Sequence, residues 1–299
     1  MEPNVVLPLL SATLSFLFAL LLLDQWLERR RTYQLIWSLG MAWFGISAGT
    51  ELLGGVLGWS EPLYRAWYLF GAVFVAAWLG LGTMYLLGRT RFGYAAAGSV
   101  LLAGLFTVLS QVRQQYPDTG MLPYAAFAIA LVGAVAITVE TRRGSGRWAR
   151  IAGALVIGGS IAAAPIVLLA PVQAPGYALD AAGIPVGSLM PGSVRLLTPL
   201  FNVTGGFALV LGALYSVAAA VRARRLDSRV PATILIALGG FVPSMTSGLT
   251  RFGITETFYL GELLGVLFLF AGFLVSIDVF HVIRVPFTRR VLYARHEAA

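Results

Sequence analysis

Lysine and cysteine are absent from this 299-residue chain, histidine occurs twice, and charged side chains of all kinds make up only 11% of it. Without lysine there can be no Schiff base to retinal or pyridoxal phosphate and no phosphate-loop lysine. Without cysteine there are no disulfides, thiolate nucleophiles, iron–sulfur ligands or zinc-thiolate sites. His281 and His296 are too few for two-histidine haem ligation in a membrane cytochrome or for a three-histidine metal centre. No cofactor and no metal is therefore expected. The shortage of charge also excludes a soluble domain, in which roughly a quarter of the residues would be charged.

What the chain has instead is apolar length. It is 58% hydrophobic with a mean hydropathy of +0.83, and the apolar runs recur along the whole sequence. Most reach the ~20 residues that a bilayer crossing requires. The pattern predicts an all-α integral membrane protein, a polytopic bundle of nine spans at 5–27, 33–57, 66–88, 94–112, 122–139, 151–170, 196–221, 230–250 and 258–283. Residues 1–283 form this single bundle, and residues 284–299 form a basic cytoplasmic tail.

All 21 basic residues are arginine, and their placement predicts orientation, because basic residues concentrate in short cytoplasmic loops. With the N-terminus outside, 17 of them fall on the cytoplasmic side, and only Arg65, Arg113, Arg195 and Arg251 fall outside. The basic pI then reflects topology, and nucleic acid is not needed to explain it. Arginine use without lysine is read as a mark of a GC-rich genome, which gives a bacterial plasma membrane as the expected location. Trp59, Tyr64, Trp67, Tyr68, Tyr124 and Tyr259 fall near the outer interface, and Trp26, Tyr33, Trp37 and Trp148 near the inner one, as aromatic belts at headgroup depth. The outer segment 171–195, rich in proline and glycine, reads either as a lid or as a tolerated surface loop.

Depth along a helix can be counted at 1.5 Å per residue. Glu51 and Glu262 both come out near the outer end of their spans, together with Asn202, Thr204, Ser244 and Ser247, while Arg251 lies in the adjoining turn. Charge in hydrocarbon costs about 2.5–3.5 kcal/mol even on lenient scales, so such groups face a bundle interior or water. These seven residues are the predicted ligand pocket, opening outward, with Arg251 as counter-ion to the acids. Glu262 has a plainer reading, in which it caps its helix and reaches up to headgroup water.

At the inner end, Asp278, His281 and Arg284 stand at i, i+3 and i+6. They form a polar cluster that either anchors the helix or handles protons. Trp43 and Trp78, mid-span, read as packing or as a platform for a flat ligand. Gly45 with Gly49, Gly54 with Gly58, and Gly261 with Gly265 allow close helix approach, either within the bundle or to a partner.

Three functions fit these features. The first is transport or binding of a small or lipid-like ligand. The second is a non-catalytic subunit or sensor of a larger redox or signalling assembly. The third is an intramembrane enzyme using Glu51 and Glu262 as acid and base, although no nucleophile accompanies them. Expected partners are the bilayer, anionic lipids at the inner surface, a small ligand, and further copies or membrane subunits.

Overall fold

The computed structural model describes residues 3–112, 119–172, 185–223, 229–249, 254, 257–275, 282–284 and 291–294. The apolar runs coil because a segment away from water can satisfy its own N–H and C=O groups only as a helix. In order these are α1 Pro3–Arg29, α2 Thr32–Leu57, α3 Glu61–Trp67, α4 Val75–Leu86, α5 Gly93–Val112, α6 Leu122–Arg142, α7 Trp148–Leu169, the short α8 Gly192–Arg195, α9 Leu197–Arg222, α10 Arg229–Leu249 and α11 Phe258–Val275. A π-helical stretch, Tyr68–Phe74, joins α3 to α4, and α8 runs on into α9.

Seven helical segments are long and apolar enough to cross a membrane: Asn4–Arg29, Glu61–Leu86, Gly93–Gln111, Leu122–Arg142, Trp148–Leu169, Gly192–Arg222 and Phe258–Val275. The other two expected spans are helical but less lipid-like. In α10 the apolar part is the shorter Pro231–Ser247. Half of α2 is buried, including Gln34, Ser38, Ser47, Thr50 and Glu51. A helix enclosed by its neighbours meets side chains and not lipid, so it tolerates polar residues that an outer helix could not. The outer helices show the opposite pattern: Ile129, Val132 and Val135 of α6 and Ile161 and Leu169 of α7 are exposed.

Successive helices run antiparallel. One end of the bundle, called upper here, holds the α2–α3 turn, the end of α7 and the starts of α9 and α11. The lower end holds most of the described arginines. Two closed circuits of neighbouring helices share a wall made by α4 and α9. The first passes through α1, α2, α4, α9, α10 and α11, and the second through α4, α7, α6, α5 and α9. At the shared wall a Cβ on Gly205 would lie 2.0 Å from the Ala76 carbonyl oxygen, and one on Gly80 would lie 2.3 Å from the Gly205 oxygen. Only glycine lets two backbones approach so closely.

The lower part of the first circuit is filled by Phe18, Leu22, Trp37, Met41, Leu79, Leu209, Val266, Leu269 and Phe273. Phe18 and Phe273 pack with ring centroids 5.0 Å apart, and Trp37 meets Phe273 edge-on at 4.6 Å.

The structure corrects several expectations. Tyr64, Tyr68, Tyr259, Trp37 and Trp148 are buried, so they are core residues and not belt. Distance from a span's end gives depth, but it does not say which way a ring faces. Of the glycine pairs, Gly261 and Gly265 do lie against α10, at Thr246 and Pro243. Gly49, however, faces open space, and Gly54 makes room for the Trp59 indole and not for a helix. Past α11 and beyond the helical bundle, Val282–Arg284 pairs antiparallel with Val291–Ala294. Pro286 cannot continue a helix, and the β-branched and aromatic residues around it suit a hairpin. Arg284 of the expected inner polar cluster is therefore extended and lies past the end of α11. Asp278 and His281 lie outside the described residues.

Candidate functional site

The upper part of the first circuit contains the two acids. Glu51 sits on α2 above Phe44 and Ala48, and is 1% exposed. Glu262 sits one turn above the buried Val266 on α11. Their carboxyl groups meet within hydrogen-bonding reach, so residues 211 positions apart share one site floored by the apolar plug.

The surroundings supply few donors. Trp67 Nε1, on the last residue of α3, donates to Glu51 Oε1 at 2.8 Å. Oε2 of Glu51 and Oε2 of Glu262 are buried with no hydrogen-bond partner, and so is Oδ1 of Asn202 on α9. A buried acceptor without a donor costs roughly 1–3 kcal/mol, more when charged; the hydroxyls of Ser11 and Ser15 on α1 are buried and unpartnered as well, so donors and acceptors alike stand unsatisfied in the first circuit.

The described arginines of this end are occupied elsewhere. Arg65 pairs with Glu61 and donates from Nη1 to the Val167 and Leu168 carbonyls, at 2.9 and 2.8 Å. It thereby satisfies the last carbonyls of α7, groups that a helix cannot satisfy itself. Arg195 lies within electrostatic reach of Tyr64. Arg251, the expected counter-ion, lies outside the described residues.

The other expected pocket residues are dispersed. Thr204 is buried on α9 beside the Gly205 contact. Ser244 is exposed and its hydroxyl donates to Gly240 O of its own helix at 2.7 Å, close to Gly206 of α9. Ser247 is exposed as well. The acids come together, then, while Ser244 stays on the seam between α9 and α10. Further down that seam an apolar cleft of about 190 Å³ opens, lined by residues such as Val210, Leu214, Leu238 and Phe241.

Other residues shape the site without being expected there. Trp67 is a direct partner of Glu51. Just after it, Tyr68 opens the π-helical stretch and its hydroxyl bonds Thr198 Oγ1 of α9 at 3.0 Å. Gly71 of the same stretch lies against Ser47 of α2, one turn below Glu51. The end of the 171–195 segment folds over this region: the Val186 carbonyl accepts from Tyr64 Oη at 3.0 Å, and Met190 and Val194 are buried. Trp43 stacks on Phe70 with centroids 5.0 Å apart and meets Trp78 edge-on at 6.1 Å, while Trp78 Nε1 donates to Ser160 Oγ. Both indoles are therefore engaged in packing.

Among the described residues no group of three or more His, Cys, Asp or Glu could hold a metal ion. No family model matches the chain, and neither a curated protein nor a solved structure gives a significant match.

Proposed function

We propose that this is a nine-span membrane protein, N-terminus outside and C-terminus cytoplasmic, that binds a small ligand at its outer end and carries it. The observation behind this reading is the buried meeting of Glu51 and Glu262 with unpaired oxygens, near which the described arginines are otherwise engaged. Such a site suits a ligand that brings its own donors, such as an ammonium or hydroxyl group. The apolar plug beneath it supports entry from above and argues against an open pore. The cleft between α9 and α10 fits an acyl chain, which keeps lipid-like compounds within the class.

The test is reconstitution into proteoliposomes with a panel of organic ammonium compounds, polyols and single-chain lipids. Binding is read as a shift in unfolding temperature and transport as uptake. At least one class is expected to bind to the wild type and to lose affinity in Glu51→Gln and Glu262→Gln. A ligand whose binding and uptake ignore both substitutions overturns the pocket. Of the glycine pairs that could serve either the bundle or a partner subunit, Gly261 and Gly265 are used by α10, while Gly49 faces open space.

A further inference from the structure

We propose that Glu51 and Glu262 jointly bind one exchangeable proton, and that the Trp67 bond to Glu51 transmits the presence or loss of that proton to the π-helical stretch. This rests on the reading above and adds the coupling ion to it.

Carboxylates only accept hydrogen bonds, and a carboxyl group can donate only when it carries a proton. Two carboxyl groups held within hydrogen-bonding reach therefore attract each other when the pair holds a proton and repel each other when it holds none. The unpartnered Oε2 atoms on both residues fit this account, since a proton between the groups is a donor that neither side chain otherwise has. Glu51 is 1% exposed, and its donor among the described residues, Trp67 Nε1, is neutral.

The described charged groups of the neighbouring elements are directed elsewhere, Arg195 of α8 lying within electrostatic reach of Tyr64. On α3, Glu61 and Arg65 turn to each other and to α7, and Tyr64 turns to Val186. In the π-helical stretch, Tyr68 turns to Thr198. The charged groups of α1 lie at its lower end, as Asp24, Glu28 and Arg29. On α11 itself Tyr259 is buried against Phe258. Arg251 and Glu256 lie outside the described residues. A proton also needs no cavity, which suits a pair already in contact. Its release breaks the single O–H bond of the pair and passes the proton to water at the upper end, leaving two adjacent anions that must separate.

The separation has a receiver. Trp67 is the last residue of α3, and the wider π turn begins at the next residue. π-helical turns inside α-helices are frequent at functional sites, and this one is tied to α2 through Gly71 and Ser47 and to α9 through Tyr68. Movement of Glu51 therefore pulls on a stretch already in contact with both walls of the circuit.

The experiment is pH-difference infrared spectroscopy on the full chain in lipid nanodiscs. A protonated-carboxyl carbonyl band that shifts in heavy water is expected in the wild type, lost in Glu51→Gln and in Glu262→Gln, and retained in Asp24→Asn, which removes another buried acid. Trp67→Phe, which keeps both acids, is expected to move the band to higher frequency by removing one hydrogen bond. A wild type without the band, or a band unchanged in both glutamine variants, overturns the proposal. If those variants do not fold, a band unmoved by Trp67→Phe overturns the coupling to α3. A band that behaves as expected while no ligand binds would sink the functional reading and leave this inference standing.

Discussion

Single residues at the upper end are held by specific bonds, and these can be ranked. Arg65 satisfies two carbonyls of α7 with a charged donor, an arrangement in which each bond contributes about 1.5–3 kcal/mol. Its ion pair with the half-exposed Glu61 contributes at most about 1 kcal/mol. Arg65→Ala is therefore expected to lower the unfolding midpoint in detergent clearly, and Glu61→Ala hardly at all. Equal effects would mean that the ion pair within α3, and not the bonds to α7, carries the contribution of Arg65. Counting depth along helices brought Glu51 and Glu262 to the same level, and that much was legible. Trp67 was not, because nothing in the sequence says that an interfacial-looking indole turns inward to a glutamate on the preceding helix. Ser244 shows what depth leaves open: it does not fix azimuth, and a serine within a helix can return its proton to its own backbone, as this one does.

At the scale of elements, hydropathy located the helices because lipid leaves the backbone few alternatives. The same reasoning could not find the π turn. Its sequence, YLFGAVF, has the composition of any apolar helix, and the wider turn arises from what packs around it. Deleting Ala72 is expected to let an α-helical turn replace the π turn. The π turn absorbs one extra residue, and six α-helical residues turn through nearly the same angle as seven π-helical ones, so α3 and α4 keep their register to within roughly 30° and Trp67 stays on the Glu51 side. The variant should fold and keep the wild-type band; a band shifted as in Trp67→Phe would show that the extra residue of the π stretch sets the contact. The glycine seams were half legible. Gly261 and Gly265 announce themselves by spacing, but Gly80 and Gly205 recognise each other only in space. Gly205→Ala puts a methyl group into the Ala76 carbonyl, and overpacking of this kind costs about 1–3 kcal/mol. It should lower the unfolding midpoint well beyond Gly158→Ala, whose Cβ would meet open space.

For the whole molecule, the arginine distribution gives a topology that a cysteine-free chain makes simple to test. Met121, 74% exposed at the upper end, and Ser145, exposed at the lower end, lie in successive turns. Met121→Cys is expected to react with an impermeant maleimide on intact cells, and Ser145→Cys only after permeabilisation; the reverse pattern inverts the orientation. Bundle architecture was legible because composition excludes other classes. The order of neighbours was not, since a shared α4–α9 wall depends on contacts between segments more than a hundred residues apart.

That wall limits how the protein can move. Where two main chains touch with no side chains between them, there is no lubricating layer to shear, and carbonyl oxygens lock against Cα atoms like cogs. A rearrangement that exposes the acids must therefore spare this seam and displace the outlying members α1, α2 and α11, with the α4–α9 pair acting as the fixed post against which they swing.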